Sequence, residues 1–315
     1  MTRPLDDGTT FAPGPHGGDG DAVARLLGLD PDDLLDLSAS LNPLAPDVAA
    51  VVRSLDARCI RNYPSDEDAT TLLADAIGVP ADRLLLTNGG AEAIVLVAAE
   101  HPVGVVPEPA FSLYRRHLAC VDPIDGEGAL VWKANPSSPL GEPAHPDERA
   151  GVWDEAFWPL ATGTWTRGDE SAYRLGSLTK LWSCPGLRLG YVIAPGPAER
   201  EALARRQPRW AVNGLALAAV PSLLAATDLA GWQAGIAALR ADLAGIWRTA
   251  GFTVHEGAAN WILVEDAAGW RTPLAQNGVL VRDCASFGLP GTIRVAVPDA
   301  DGLVTVARAV RAVGA

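Results

Sequence analysis

The sequence predicts an α/β protein: a large domain with a mixed, mostly parallel sheet, plus a smaller α+β domain. Three observations support this prediction. The 315 residues suffice for one large or two medium domains. Between residues 84 and 193, short apolar segments alternate with helical segments, as they do around a parallel sheet. From residue 198 onward, helical segments come first and strand-like segments follow.

The elements of the first part are defined by apolar periodicity and by their end signals. Asp66, Glu67 and Asp68 place negative charge at the positive end of a helix. Asn88-Gly89-Gly90-Ala91 is a tight turn between a strand and a helix. The predicted helices are 21–29, 47–56, 65–77, 92–100 and 111–118, and the predicted strands are 36–40, 84–87, 103–106, 129–134, 151–154, 173–176 and 188–193.

The second part is predicted to contain helices 198–206, 213–226, 231–250 and 301–313, and strands 261–264, 279–282 and 292–297. We place the large domain at 40–206. The small domain comprises 1–39 and 207–315, with residues 1–20 as an arm.

One connection in the large domain is short, because only residues 142–150 separate Gly141 from Gly151. A parallel crossover normally takes about a dozen residues. Either a bare loop joins the two strands, or they are not adjacent and parallel.

Composition excludes several classes of function. The net charge of -13 argues against nucleic acid and anionic membranes as partners. No apolar stretch is long enough to span a bilayer, and the N-terminus lacks the pattern of a signal peptide. The four scattered cysteines fit a reducing cytosol better than a disulfide framework or a metal site. We therefore expect a soluble, cytoplasmic protein without a metal.

Lys180 is the most informative residue, because the chain has only one other lysine, Lys133. It follows two hydroxyls in Ser177-Leu178-Thr179-Lys180, and Arg188 comes eight positions later. Lysine forms a Schiff base with a carbonyl cofactor, which arginine cannot do. The arginine and the hydroxyls suit a phosphate. The segment is interpreted as a pyridoxal-phosphate lysine with its phosphate site; the alternative is a solvated loop lysine.

Each of the other candidate residues has both a functional and a purely structural interpretation. Asp154 ends an apolar strand, where it can pair with a protonated pyridine nitrogen or cap a helix. Tyr114 can stack on a cofactor ring or belong to the core. Arg282 and Arg294 lie on or beside late strands, where arginine captures carboxylate or phosphate, or forms structural ion pairs. His16, taken alone, is a histidine of a flexible arm.

In chain order, these pieces resemble fold-type I pyridoxal-phosphate enzymes with the aspartate aminotransferase fold. Within them the chain is similar to the branch of histidinol-phosphate aminotransferase and threonine-phosphate decarboxylase of cobalamin biosynthesis. The likeness runs from about Pro15 to Val313. The segments that carry it are His16-Gly17-Gly18, Leu35-Asp36-Leu37-Ser38-Ala39-Ser40-Leu41-Asn42-Pro43, Tyr63-Pro64, the Lys180 to Arg188 segment, Trp210-Ala211-Val212-Asn213, Asn260-Trp261 and Val281-Arg282-Asp283-Cys284.

The resemblance implies pyridoxal 5'-phosphate as cofactor and a role for each matching residue. Lys180 would bind the cofactor covalently, Asp154 would hold the pyridine nitrogen, and Tyr114 would stack on the ring. The cofactor phosphate would be bound by Gly90, Ala91, Ser177 and Arg188, with Tyr63 donated by the partner subunit of a homodimer. Substrate anions would be bound by His16, Ser40, Asn42, Arg282 and Arg294.

The chain departs from the family pattern at several positions. Ser138 stands where relatives have the asparagine that bonds the cofactor's 3-oxygen, so that contact would need a water. Phe157 stands where many aminotransferases have a tyrosine, and Ser40 replaces an asparagine of the substrate site. The large domain is shortened around 120–154, where relatives carry whole helices.

The resemblance implies decarboxylation of L-threonine O-3-phosphate, or a close analogue, to (R)-1-aminopropan-2-yl phosphate. The Cys284 segment and the His16 arm favour this reaction. One alternative is an aminotransferase of the histidinol-phosphate type, because both reactions use one cofactor pocket. A further alternative is a degenerate, non-catalytic cofactor-binding protein.

Overall fold

The computed structural model describes residues 17–122 and 128–315. The helices are α1 (Gly20–Leu27), α2 (Val48–Arg53), α3 (Arg58–Arg61), α4 (Glu67–Ile77), α5 (Gly89–Glu100), α6 (Ser112–His117), α7 (Trp158–Thr162), α8 (Leu178–Leu181), α9 (Pro197–Arg206), α10 (Gly214–Ala225), α11 (Leu229–Thr249), α12 (Arg271–Gln276) and α13 (Ala300–Gly314). The strands are β1 (Leu35–Asp36), β2 (Leu84–Thr87), β3 (Val103–Val105), β4 (Ala119–Cys120), β5 (Leu130–Ala134), β6 (Val152–Asp154), β7 (Tyr173–Gly176), β8 (Gly190–Ile193), β9 (Val254–Glu256), β10 (Trp261–Val264), β11 (Val279–Leu280), β12 (Arg282–Asp283) and β13 (Ile293–Ala296).

The larger of two compact units comprises residues 44–138 and 142–234. Its seven-stranded sheet has the order β2-β8-β7-β6-β5-β3-β4. Strand β8 runs antiparallel to both of its neighbours, and the remaining pairs are parallel. Strands β2, β7 and β8 are buried along their whole length, which is expected of a sheet covered on both faces. The predicted mixed, mostly parallel sheet is confirmed.

The short connection between β5 and β6 is a bare loop. The two strands pair in parallel, with Trp132 opposite Val152 and Ala134 opposite Asp154, and residues 135–151 contain no helix. Arg167 fixes the loop: its Nη2 donates to the carbonyls of Pro146 at 3.0 Å and Glu148 at 2.9 Å. The first of the two alternatives is therefore correct: the strands are adjacent and parallel, and a bare loop joins them.

The smaller unit comprises residues 139–141 and 235–315 together with the described N-terminal residues 17–43. A four-stranded antiparallel sheet has the order β12-β13-β10-β9, and β1 pairs separately with β11 in parallel. Buried residues of this sheet pack with Trp247 of α11 and Val306 of α13. Helix α13 begins at a capping aspartate, because Asp299 Oδ1 accepts the Gly302 amide at 2.8 Å.

Several elements differ from the prediction for local reasons. The strand predicted at 36–40 ends at Asp36, because the Ser38 amide and hydroxyl both donate to Asp36 Oδ1 and turn the chain. The sequence analysis did not identify α3, α7, α8, α12, β4 and β9, which are too short to show a period.

The division of the chain also differs in position. Helices α9 and α10 belong to the larger unit, because α9 packs on α5 and α10 packs on α4. The predicted division at 206–207 therefore does not coincide with the boundary of the compact units. Whether the chain has separate domains with that boundary stays a prediction.

Among the described residues, no single helix has both the length and the hydropathy of a membrane span. The adjacent pair α10 and α11 passes that test together, on length and composition only.

Glu155, directly after β6, gives the larger unit a pH-dependent stability. Its side chain is buried, and its Oε1 accepts the Arg167 amide at 3.0 Å. Burial raises the pKa of Glu155 from its ordinary 4.5 to about 7. The folded state therefore favours the neutral acid. Its contribution to stability is complete below the ordinary pKa and is lost as the pH rises through about 7.

We predict that Glu155→Gln, which is neutral at every pH, removes this loss. Relative to the wild type, its free energy of unfolding should rise by about 3 kcal/mol between pH 4 and pH 8. Urea unfolding across this range measures the difference. Exposed Glu170→Gln is the control and should follow the wild type; a Glu155→Gln curve parallel to the wild type would contradict the prediction.

Candidate active site

Chemistry-bearing residues of the larger unit follow or precede strands at one edge of its sheet. The strands β5, β6 and β7 run parallel, so their carboxyl ends, at Ala134, Asp154 and Gly176, lie at the same edge. Since β8 is antiparallel to β7 and to β2, the start of β8 and the end of β2 reach that edge as well. The edge of an open α/β sheet at which strands end is the usual place for a ligand.

A cradle for a phosphate is formed where β2, β7 and β8 meet this edge. Gly89 and Gly90 begin α5, whose first amides point outward at its positive end. A Cβ on Gly89 would overlap the guanidinium of Arg188, and one on Gly90 would lie 3.5 Å from Ser177 Cβ. Gly190 packs against the Gly89–Gly90 backbone with no room for a side chain. The structure thus brings Gly90, Ser177 and Arg188 together, as the sequence predicted.

Backbone geometry and hydrogen bonds fix the cradle. Arg188 has a left-handed backbone, with φ of 54°, and its Nη1 donates to the Pro185 carbonyl at 3.2 Å. The hydroxyls of Ser177 and Thr179 lie 2.7 Å apart. Glu92 Oε2 accepts the Asn88 amide at 2.6 Å and so anchors the turn before α5. Ala91, the other predicted phosphate contact, lies in the first turn of α5.

Lys180 lies on α8, the single turn that follows β7. Its neighbours Leu178, Thr179 and Leu181 are buried, whereas Lys180 is partly exposed. Its Nζ lies 5.9 Å from the centre of the Phe157 ring. Buried neighbours on both sides therefore hold the turn that carries Lys180.

Asp154 ends β6 and is partly exposed. Its Oδ2 accepts the Tyr114 hydroxyl at 2.6 Å, and its Oδ1 accepts the Ala156 amide at 3.0 Å. Burial raises the pKa of Asp154, and these two hydrogen bonds oppose the rise because they stabilise the anion. A carboxylate held in this way can keep a proton on a ligand nitrogen.

The structure argues against the stacking role predicted for Tyr114. Its side chain is 1% exposed, so no face of the ring is open to a ligand. Its hydroxyl is committed to Asp154 instead. Phe111, one helical turn earlier, is partly exposed and meets Tyr114 edge-on at 5.8 Å. The sequence analysis missed the bond to Asp154, because spacing along the chain does not reveal a partner forty positions away.

Two further predicted residues of this unit have different surroundings. Ser138 is buried and follows the end of β5. Tyr63 lies on the surface, 79% exposed, and stacks on Trp210 with ring centres 4.4 Å apart.

The smaller unit contains a separate cationic cluster. Arg282 on β12 lies opposite Arg294 on β13, and both are buried. The Arg294 guanidinium lies 5.0 Å from the Trp261 ring and 5.6 Å from the Phe287 ring. Burial lowers the pKa of Arg294 to about 10, which still leaves it charged at neutral pH. No carboxylate within the described residues forms an ion pair with Arg294, so this guanidinium is chemically suited to an anion from outside the chain.

The remaining predicted substrate residues belong to the N-terminal part of this unit. Ser40 and Asn42 are buried, and the Ser40 hydroxyl has no hydrogen-bond partner among the described residues. Asn260 holds this segment, because its Nδ2 donates to the Leu41 carbonyl at 2.9 Å. His16 lies outside the described residues.

Comparison with known proteins agrees with this arrangement. Residues 101–310 match the family described as aminotransferase class I and II. The chain is 32% identical to a threonine-phosphate decarboxylase of Salmonella typhimurium, covering 86% of this chain and 88% of the relative. It is 30% identical to a histidinol-phosphate aminotransferase of Natronomonas pharaonis, with coverages of 87% and 89%.

Among solved structures, the histidinol-phosphate aminotransferase of Sinorhizobium meliloti in complex with pyridoxal-5'-phosphate superposes with a TM-score of 0.78. The match covers 99% of this chain and 98% of that one, at 18% sequence identity. At this identity the likeness concerns the fold, and the predicted aspartate-aminotransferase-like fold is confirmed.

We predict that Gly89→Ala weakens the binding of pyridoxal phosphate about tenfold or more, because the new methyl group displaces Arg188. Fluorescence titration of the apoprotein with the cofactor measures the change. Gly78→Ala is the matched control. Gly78 has a positive φ of 80°, close to the 77° of Gly89, but a Cβ there meets nothing within 4 Å. Equal losses in both variants would assign the effect to backbone strain and contradict the role of Arg188.

Proposed function

We propose that this chain, which belongs to the aminotransferase class I and II family, decarboxylates L-threonine O-3-phosphate or a close analogue. Its cofactor is pyridoxal 5'-phosphate, as in the rest of this enzyme family. The proposed product is (R)-1-aminopropan-2-yl phosphate, a phosphorylated amine of cobalamin biosynthesis. In the reaction the bond between the α-carbon and the carboxylate breaks, carbon dioxide leaves, and a proton takes its place.

The larger unit provides residues that fit each part of the cofactor. The Gly89–Gly90 cradle, Ser177 and Arg188 fit the phosphate, and the carboxylate of Asp154 fits the ring nitrogen. The bound cofactor supplies an electron-accepting ring, which stabilises the charge left on the substrate's α-carbon. Lys180 supplies the amine that holds the cofactor covalently, and its Nζ is the group we assign to return a proton to the α-carbon.

The observation that most favours threonine phosphate is the pair of buried arginines. Threonine phosphate carries two anions, a carboxylate and a phosphate, and Arg282 and Arg294 provide two cations in register. Binding the carboxylate in a fixed direction determines which bond of the α-carbon is aligned for breaking. The relative at 32% identity, a threonine-phosphate decarboxylase, supports the same reaction.

Transamination of the histidinol-phosphate type is the second candidate. Relatives with that name match at about the same identity, 30%. The two reactions use the same residues around the cofactor and differ in which bond of the α-carbon is held for breaking. The assay therefore has to measure both products.

The assay follows carbon dioxide from carboxyl-labelled threonine phosphate, and glutamate from histidinol phosphate with 2-oxoglutarate, on the holoprotein. We expect release of carbon dioxide and no amino transfer. Amino transfer without carbon dioxide would replace the proposal by the second candidate. A protein that binds the cofactor and performs neither reaction would remove both.

We predict that Arg294→Gln raises the KM for threonine phosphate by about 10- to 100-fold, because a charged hydrogen-bond donor to a substrate anion is lost. Arg240→Gln is the control. Arg240 belongs to the same unit, but it donates to the carbonyls of Ala258 and Ala259, both at 3.0 Å. Its KM should stay near the wild-type value. An unchanged KM in Arg294→Gln would contradict the substrate role.

We also propose that the chain acts as a homodimer to which Tyr63 contributes across the subunit boundary. Ile60, Tyr63 and Trp210 are large apolar side chains that remain exposed on the single chain. A cluster of this kind is typical of an interaction surface. Light scattering should give the mass of two chains. A monomer that still binds the cofactor would contradict the proposal.

A further inference from the structure

We infer that Tyr114 is a positioning residue for Asp154: its hydroxyl holds the carboxylate in the orientation and charge state that a protonated cofactor nitrogen requires. The inference rests on the cofactor site of the proposed function and is independent of the substrate. It assigns Tyr114 a role other than the ring stacking expected from the resemblance.

The packing of Tyr114 allows it to act only through its hydroxyl. Its ring meets Phe111 edge-on at 5.8 Å and Trp132 at 5.7 Å. Trp132 lies on β5, next to β6, and is itself buried. The aromatic neighbours therefore fix the ring, and with it the position of the hydroxyl oxygen.

The hydroxyl completes the set of protein donors to Asp154. The Ala156 amide occupies Oδ1 at 3.0 Å, and the Tyr114 hydroxyl occupies Oδ2 at 2.6 Å. Asp154 nevertheless remains partly exposed, and it ends β6 at the edge of the sheet where Lys180 and the glycine turn also lie. The second donor prevents rotation of the carboxyl group about its bond to Cβ.

The charge of Asp154 depends on the same bond. Burial raises the pKa of Asp154 and so favours the neutral acid. The Tyr114 hydroxyl acts in the opposite direction, because a hydrogen bond to a carboxylate is stronger than one to the neutral acid. Burial also raises the pKa of Tyr114, so the phenol keeps its proton and remains a donor.

A core role alone does not explain a tyrosine at this position. A buried hydroxyl costs free energy unless it is bonded, and phenylalanine would fill nearly the same volume. Tyr173 gives a direct comparison in the same hydrophobic cluster, because its hydroxyl lies 3.0 Å from His101 Nε2 and not at Asp154.

The test uses Tyr114→Phe, with Tyr173→Phe as the matched control. The first readout is the affinity of the apoprotein for pyridoxal phosphate, which should fall about tenfold in Tyr114→Phe and stay unchanged in Tyr173→Phe. The second readout is the resonance of pyridoxal phosphate labelled with 15N in its ring. In Tyr114→Phe it should move from the protonated toward the unprotonated position.

A double mutant separates a positioning role from loss of packing. With Asp154→Asn already present, Tyr114→Phe should cause no further loss of cofactor affinity, because the group it positions is gone. Additive losses, or a wild-type 15N shift in Tyr114→Phe, would overturn the inference. None of these measurements involves threonine phosphate, so their failure is distinct from a failure to release carbon dioxide.

If Tyr114→Phe does not fold, 3-fluorotyrosine at position 114 provides the same test. Its 19F resonance should shift when pyridoxal phosphate binds to the wild-type site, and this shift should disappear in Asp154→Asn. A resonance that does not respond to the cofactor would overturn the inference.

Discussion

The site depends on one constraint: a carboxylate has to stay ionised at the end of a buried strand. Burial raises the pKa of Asp154, and two donors from the protein, the Tyr114 hydroxyl and the Ala156 amide, oppose that rise. The same edge of the sheet carries Lys180 after β7 and the glycine turn after β2. Three separate segments thus provide an amine, an acid and a cradle suited to a phosphate. They are brought together because they lie at the same end of the sheet.

Much of this arrangement could be predicted from the sequence, and the parts that could not share a physical reason. Alternating apolar segments predicted an α/β sheet with parallel strands, and the spacing of Ser177, Lys180 and Arg188 predicted the cradle, because both signals are local. The role of Tyr114 could not be predicted, since its partner is set by packing between α6 and β6. The extent of β1 was also wrong, because the turn at Ser38 depends on a side-chain hydrogen bond to Asp36.

The net charge of the chain is opposite in sign to the arginines proposed to bind substrate and cofactor anions. The chain carries a net charge of -13, yet the side chains proposed to bind phosphate and carboxylate groups include the arginines Arg188, Arg282 and Arg294. The Arg294 guanidinium is buried, lies near the rings of Trp261 and Phe287, and has no carboxylate partner among the described residues. Such a cation attracts an anion strongly at short range, where the screened overall charge has little influence. The proposed binding of phosphorylated substrates is therefore compatible with the negative net charge of the chain.

The central claim is that Lys180 holds the cofactor, and the chain contains its own control for it. Lys133, the only other lysine, lies on β5 and forms an ion pair with Glu148 at 2.9 Å. Borohydride reduction of the protein loaded with pyridoxal phosphate, followed by peptide mass spectrometry, locates the covalent bond. We predict a phosphopyridoxyl group on Lys180 alone. A group on Lys133, or none on Lys180, would contradict the account.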